Sequence, residues 1–291
     1  MTHRIVAPGK LVLLGEYAVL DGAPAIVAAV NRGVRCDVSE ADATTWSTPG
    51  DDRFVAAALA AAHAPPGHYA FADHDPPATQ TKPGLGGSAA AVVAAIWAAE
   101  VRRGGSPDPD RLHALARRVH HQVQGSGSGI DIAASTYGGV LRFQDGTASA
   151  LDVGLDPVVV WSGRSAKTGP RVQRYRSLAE PARRRFVTAM TEAVAGFAAD
   201  PVAATRAGWR ALCAMASAAD LPYRTPTLDR IVELAETYGG AGKPSGAGGG
   251  DCAVALFSRD DDRKAFLGAC QAHDLPIVAI QVATGVTETT G

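Results

Sequence analysis

Three glycine-rich loops and a lysine near the N-terminus carry the residue types that could do chemistry on a phosphate. The first loop, Lys82-Pro-Gly-Leu-Gly-Gly-Ser88, runs straight into an alanine-rich stretch. Glycines let a backbone turn several N–H groups toward one anion, and a helix start adds partial positive charge. Ser88, in the first turn, can offer its hydroxyl to a phosphate-bound Mg²⁺. A glycine turn that merely enters a helix is the plainer alternative. Gly84, Gly86 and Ala89 match the pattern G-x-G-x-x-A, but Thr-Gln-Thr-Lys-Pro precedes them rather than a strand, which argues against a dinucleotide site.

The second loop, Lys243-Pro-Ser-Gly-Ala-Gly-Gly-Gly-Asp251-Cys252, places five Gly or Ala residues in a row between a helix and a strand. That backbone entropy cost is reasonable where the chain lies close against a ligand, and also in a tight structural turn. Neither Gly242-Lys243 nor Gly9-Lys10 is followed by Ser or Thr, so no Walker A loop is present. The third loop, Gln124-Gly-Ser-Gly-Ser-Gly-Ile-Asp131, ends on a carboxylate that reads locally as a helix cap. Near the N-terminus, Lys10 opens a strand that closes on Gly15-Glu16-Tyr17. A lysine there is ordinarily a solvated strand end, but beside an Asp in a phosphate site it becomes a charge stabiliser.

Positioning these loops requires mixed α and β elements. Lys10 to Leu14 and Ala25 to Val38 read as strands, with a turn at Asp21-Gly22. Residues 55–62 suggest a helix, and 64–83, rich in Pro, His and Asp, a loop. A buried helix is expected over 88–103 and a second over 109–123, capped by Asp108. A short helix over 131–135 and a strand over 138–143 follow. Beyond residue 150 the pattern gives a strand at 157–161, a Ser/Gly/Arg loop, and helices near 178–199, 201–218 and 226–238. It closes as strand 252–257, helix 261–273 and strand 277–282. Two lobes, 1–155 and 156–291, are the expected organisation.

Composition narrows the function. The 28 basic and 29 acidic residues give a formal charge of −1, without the cationic surplus that a nucleic-acid binder directs at phosphates. No apolar run approaches the roughly 18 residues that span a bilayer. The first ten residues lack the apolar core of a signal peptide. Four scattered cysteines suggest no disulfide framework, so a reduced, cytoplasmic protein is expected. No His/Cys/Asp cluster has transition-metal spacing. Only five of the basic residues are Lys, and Lys10, Lys82, Lys167 and Lys243 all sit beside Gly- or Ser-rich loops.

Taken together and in order, three segments resemble the GHMP kinase superfamily: Pro8-Gly-Lys-Leu-Val-Leu-Leu-Gly-Glu16, Gly84-Leu-Gly-Gly-Ser-Ala-Ala90 and Lys243-Pro-Ser-Gly-Ala-Gly-Gly-Gly-Asp-Cys252. Glu16-Tyr17-Ala-Val, Lys82 ahead of the phosphate loop, His120-x-x-x-Gln124-Gly, Trp161-Ser-Gly-Arg-Ser-Ala-Lys-Thr168 and Asp251 are most like the phosphomevalonate kinase branch. Gly87 departs from the usual Ser of that loop, and Ser128-Gly-Ile-Asp131 also echoes mevalonate kinases.

The resemblance implies an α+β, two-lobed fold with an N-terminal mixed α/β lobe and a C-terminal ferredoxin-like lobe. It implies ATP-dependent phosphorylation of 5-phosphomevalonate to the diphosphate, with mevalonate as the alternative acceptor and a non-catalytic sensor as a more remote one. Lys10 and Asp131 would be catalytic, with Asp131 partly acting by pairing with Lys10. Lys82, Gly84, Leu85, Gly86, Gly87, Ser88 and Ala89 would hold the ATP phosphates, with Ser88 on Mg²⁺. The acceptor would meet Lys10, Tyr17, Ser128, Asp131, Ser162, Ser165, Lys167, Ser245, Gly246, Ala247 and Gly248. Arg164 and Thr168 are further candidates, and His120 is expected to hydrogen-bond near the site. The implied partners are the two small substrates, with no nucleic acid or membrane, in a monomer or homodimer.

Overall fold

The structure, a computed structural model, describes residues 3–74, 84–166 and 168–290. Lys82 and Lys167 lie outside the described residues. Strand β1 (His3–Leu14) runs antiparallel to β2 (Ala25–Ser39). Their register slips at Pro8/Gly9, where a proline cannot donate to the ladder. A single 3₁₀ turn, Ala18–Asp21, joins them and ends on Gly22. Next come β3 (Thr44–Ser47), α1 (Arg53–Ala61) and β4 (Gly67–His74), then α2 (Gly87–Arg102), α3 (Pro109–Gln124), α4 (Ile130–Tyr137), β5 (Val140–Gln144) and β6 (Thr147–Ala150). Helix α3 starts as expected: the Asp108 carboxylate accepts from the N–H of Asp110 at 2.9 Å, and Pro109 fills the first turn.

After β7 (Val158–Trp161) come α5 (Thr168–Arg176), α6 (Glu180–Gly196), α7 (Pro201–Ala218) and α8 (Pro226–Thr237). The chain finishes as β8 (Ala241–Pro244), β9 (Cys252–Leu256), α9 (Asp260–Ala272), β10 (Ile277–Val278) and β11 (Thr287–Thr290). A seven-stranded sheet runs β11-β1-β2-β4-β3, with β5 on the first half of β2 and β6 beyond it. A four-stranded antiparallel sheet has the order β10-β7-β9-β8.

Period-two alternation decides which layer each strand residue joins. Val158, Val160, Ala253 and Ala255 face α8 and α9, packing on Leu228, Ile231, Phe266 and Cys270. Val159, Val254 and Leu256 face the opposite way, into a core shared with Met190, Leu212, Leu11, Ile26 and Val140. That core contains residues of both sheets, so the two lobes are packed as one body around it. Helix α2 is apolar on most faces because it is enclosed: Ala89, Val92, Val93, Ala95, Ile96 and Ala99 are all buried.

Three expectations are corrected. Part of the expected 64–83 loop is β4, whose Tyr69 and Phe71 alternate inward while His68 and Ala70 do not; its Pro- and Asp-rich flanks hid that alternation. The expected loop between the 157–161 strand and the helix near 178 contains α5, because Pro170 falls in the first turn, where a proline costs no hydrogen bond. The expected 277–282 strand stops at Val278. The chain then crosses to the other sheet, where the Asn31 N–H donates to the Gln281 carbonyl, Val282 bridges Val30 and β11 pairs with β1. The last strand thus lies in the first sheet, although it falls within the expected second lobe. Among the described residues, no helix is long and apolar enough to cross a membrane.

Candidate active site

A cleft of about 920 Å³ is walled by β1 and the start of α2 on one side, and by the second glycine loop and the start of α5 on the other. Lys10 projects into it from β1. Its backbone N–H donates to the Leu85 carbonyl at 2.8 Å, and its Nζ to the Gly84 carbonyl at 3.2 Å, so strand and first loop are held together by one residue. Gly86, left-handed at φ 83°, immediately precedes α2, and a Cβ there would sit 2.8 Å from Lys10 Cγ. Among the described residues, nothing accepts from the N–H groups of Gly87, Ser88 and Ala89, the first three of α2. They are the orphan donors of a helix start, beside a cleft. The Ser88 hydroxyl lies 3.2 Å from His120 Nε2, as expected of His120, and the His120 ring packs on Phe54 at 5.1 Å.

Asp131 occupies the first turn of α4, after left-handed Gly129, and also lines the cleft. Its Oδ1 accepts from the Ile132 N–H at 3.0 Å. Among the described residues it makes no ion pair with Lys10. The expected Lys10–Asp131 pairing is therefore not formed, although α4 packs on β1 and its Ser135 hydroxyl donates to the Pro8 carbonyl at 2.7 Å: Lys10 Nζ turns instead to the Gly84 carbonyl. The carboxylate near Lys10 is Asp251, whose Cγ would lie 2.7 Å from a Cβ on Gly84. Asp251 is a non-glycine residue at φ 53°. Its Oδ1 accepts from the Ala166 N–H at 3.2 Å. Burial pushes its carboxyl above the ordinary carboxylate range, opposed by that hydrogen bond and by the charges of Lys10 and Arg171.

The second glycine loop is tied down rather than open. Fully buried Lys243 pairs with Glu16, whose Oε1 also accepts from the Gly246 N–H at 3.3 Å. Burial pulls the Lys243 ammonium below its ordinary pKa, against the attraction of Glu16. Ser245 Oγ accepts from the Val12 N–H at 3.0 Å and donates to the Val12 carbonyl at 3.1 Å, stitching β8 to β1. The Ser245 N–H donates to the Cys252 carbonyl at 2.8 Å and the Gly249 N–H to the Tyr223 carbonyl at 2.7 Å. The expected phosphate cradle over 245–249 thus already has three of its amides engaged. The Tyr17 hydroxyl donates to the Ala247 carbonyl at 2.6 Å, and its ring packs 5.2 Å from Tyr175. Burial pushes the Tyr17 phenol well above its usual range.

Most of the sequence-identified residues therefore converge. Lys10, Tyr17, Gly84, Leu85, Gly86, Gly87 and Ser88 line the cleft, as do Ser128, Asp131, Ser165, Ser245, Gly246 and Ala247. Thr168 does as well. Ser162 does not: it is buried and donates to the Arg164 carbonyl at 3.2 Å. Gly248 lies against the Tyr223 ring, and the Ala89 side chain is buried within α2. Sequence reasoning missed buried Arg32 and the apolar wall of Val34, Phe54, Val55 and Phe71, all cleft-lining. The alternation of β4 could have signalled that Phe71 turns inward, but nothing in the spacing marks it, or the others on β2 and α1, as cleft-lining.

The wall offers hard oxygen donors, the Ser88 hydroxyl and the Asp131 carboxylate. Among the described residues, no group of three or more His, Cys, Asp or Glu is gathered as a metal cage. Mg²⁺ keeps several waters and takes one or two protein ligands plus substrate phosphates, so this donor set fits it.

Residues 55–139 match the GHMP kinases N terminal domain and residues 202–274 the GHMP kinases C terminal domain. The chain is 29% identical to a phosphomevalonate kinase from a Streptomyces species, over 88% of this chain and 90% of that one. It is 28% identical to a mevalonate kinase from Archaeoglobus fulgidus, over 90% and 94%. In structure it resembles the phosphomevalonate kinase of Streptococcus pneumoniae, with a TM-score of 0.83 at 19% identity over 97% of this chain and 99% of that one. At that identity the likeness shows the fold.

Proposed function

The chain belongs to the GHMP kinase family and is a phosphotransferase of that fold, and on that premise we propose that it uses ATP to phosphorylate (R)-5-phosphomevalonate, giving the 5-diphosphate in the mevalonate route to isoprenoids. The observation that carries this reading is the meeting, in one cleft, of Lys10, the open start of α2 and Asp131. The similarity to a phosphomevalonate kinase over most of both chains supports the acceptor.

Two polyanions must be brought together, so positioning and charge neutralisation are the main demands on the protein. The Gly87, Ser88 and Ala89 amides face the ATP phosphates with the positive end of α2 behind them. The apolar wall of Val34, Phe54 and Phe71 suits the flat face of a nucleobase. Lys10 supplies a compact positive charge where the transferring group passes. The Ser88 hydroxyl, oriented by His120, would hold Mg²⁺, which offsets phosphate charge when bound with the nucleotide.

An acceptor phosphate oxygen forms the new O–P bond as the bond between the γ-phosphorus and the ADP oxygen breaks. The second phosphate pKa is about 6, so this acceptor has already lost its proton at pH 7. Asp131 then orients the acceptor more than it removes a proton.

A hydroxyl acceptor would need a base, and Asp131 is also placed to serve mevalonate. Together with the mevalonate kinase relative, that makes mevalonate the second reading. Separate incubations with ATP plus each acceptor, scored for ADP release, test the choice. Turnover is expected with 5-phosphomevalonate; ADP release with mevalonate alone would replace the first reading with the second.

A further inference from the structure

The carboxylate packed against the turn that holds Lys10 is not the one that the sequence pointed to. Asp251 makes three hydrogen bonds to the 162–166 segment. Its N–H donates to the Arg164 carbonyl at 2.7 Å, its carbonyl accepts from the Ser162 N–H at 2.8 Å, and its side chain accepts from the Ala166 N–H at 3.2 Å. The same side chain presses on Gly84 from one side while Lys10 Nζ holds the Gly84 carbonyl from the other. Gly84 has no Cβ, and one would overlap that carboxylate. The backbone at Asp251 is left-handed, a conformation that strains a non-glycine residue and that a glycine would fill without strain. A strained aspartate in a run of glycines is retained for its side chain.

We infer that Asp251 is a positioning residue for phosphoryl transfer: its carboxylate, held by the 162–166 segment, packs on the Gly84 turn whose carbonyl receives Lys10 Nζ, and so sets the direction of Lys10 through that turn. The inference rests on the kinase reading and extends it to a residue whose chemistry is not needed in the transfer itself. Negative charge beside a phosphate site weakens ground-state binding of anions, so a carboxylate there trades nucleotide affinity for the direction of Lys10. The charged groups around it are Lys10 on β1 and Arg171 on α5.

Two variants of the full chain, Asp251→Asn and Asp251→Gly, separate this role from a structural one. Asn keeps an acceptor for the Ala166 N–H but loses the charge; Gly relieves the backbone and loses both. Binding of ADP with Mg²⁺, turnover and Tm are measured for each. With Asp251→Asn, kcat is expected to fall at least tenfold while ADP affinity is unchanged or higher. With Asp251→Gly, Tm is expected to hold or rise while kcat falls at least as far.

A third readout does not need turnover. The chain has only five lysines, so ¹³C-methylated lysine spectra resolve Lys10, and its resonance is expected to move in Asp251→Asn. A stationary Lys10 resonance, an unchanged kcat in an active enzyme, or kcat, ADP affinity and Tm all falling together would each overturn the inference. A moving resonance in a protein that turns over neither acceptor would leave the inference standing and overturn the proposed reaction.

Discussion

The two glycine-rich loops that face each other across the cleft use their glycines in opposite ways. In the 84–88 loop the glycines clear space beside Lys10, and the first amides of α2 have no acceptor among the described residues. In the 243–251 loop two of the four make room for other side chains, and Gly250 for the backbone of residues 164–166. Gly248 lies against the Tyr223 ring, Gly249 against the Arg171 guanidinium, and the amides of Ser245, Gly246 and Gly249 are already bonded within the protein. One loop leaves open amides beside the cleft, where the phosphates are proposed to lie; the other is a packed hinge that carries Ala247 and Asp251 to the cleft. A run of glycine permits close approach without saying whether the approaching group is a ligand or the protein itself.

Removing the anchor of the packed loop should have the largest effect. Lys243→Ala strands the Glu16 carboxylate in the core and should cost about 3–5 kcal/mol in urea unfolding. A loss below about 1 kcal/mol would mean that the loop does not depend on that pair. On the catalytic side, Asp131→Ala should lower kcat at least ~100-fold with a near-normal Tm, since among the described residues the Asp131 side chain bonds only its neighbour's amide. Unchanged turnover would take Asp131 out of the reaction.

The comparison itself is sharpened by a matched pair. Gly248→Ala places a methyl into the Tyr223 ring at φ 68° and should destabilise by about 1–3 kcal/mol. Gly87→Ala meets no atom within 4 Å and should stay within about 0.5 kcal/mol of the parent. Equal losses would break the contrast between hinge and open site.

A control touching neither loop comes from His113 on α3, which burial pushes down to about 4, with Arg117 adding to the effect. Its folded pKa is below the unfolded 6.5, so its contribution is complete above pH 6.5 and is lost as pH falls toward 4. Unfolding free energies at pH 6.5 and 5.5 should differ by about 1 kcal/mol from this group, and His113→Gln should remove that difference.

Much of the fold was legible because its elements carry local signals. Helix α3 announces itself with Asp108 and Pro109, α2 with its unbroken apolar run, and β2 with its β-branched and small apolar residues. Strand β4 was not legible, since only three inward positions alternate between polar flanks. Nor was β11, whose Thr-Glu-Thr-Thr becomes a strand only by pairing with β1. Among site residues, Ser88 and Asp131 could be singled out because each follows a glycine loop with the right functional group, and Lys10 because it follows Pro8-Gly9, although β1 starts at His3 and not, as expected, at Lys10. Arg32, Phe54 and Phe71 could not, because they lie in strand and helix surfaces with no distinguishing spacing.

By itself the sequence determined the chemistry available: a lysine on a strand, and a helix-start serine and a carboxylate that each follow a glycine loop, in the order shared by a kinase family. Tertiary structure decided which carboxylate faces which lysine, placing Asp251 rather than Asp131 against the Lys10–Gly84 contact and burying Lys243 on Glu16. The reason is range. Local backbone propensity acts over a few residues, whereas these pairings span 227 positions in the Glu16–Lys243 case, and the packing of two sheets around one core sets them.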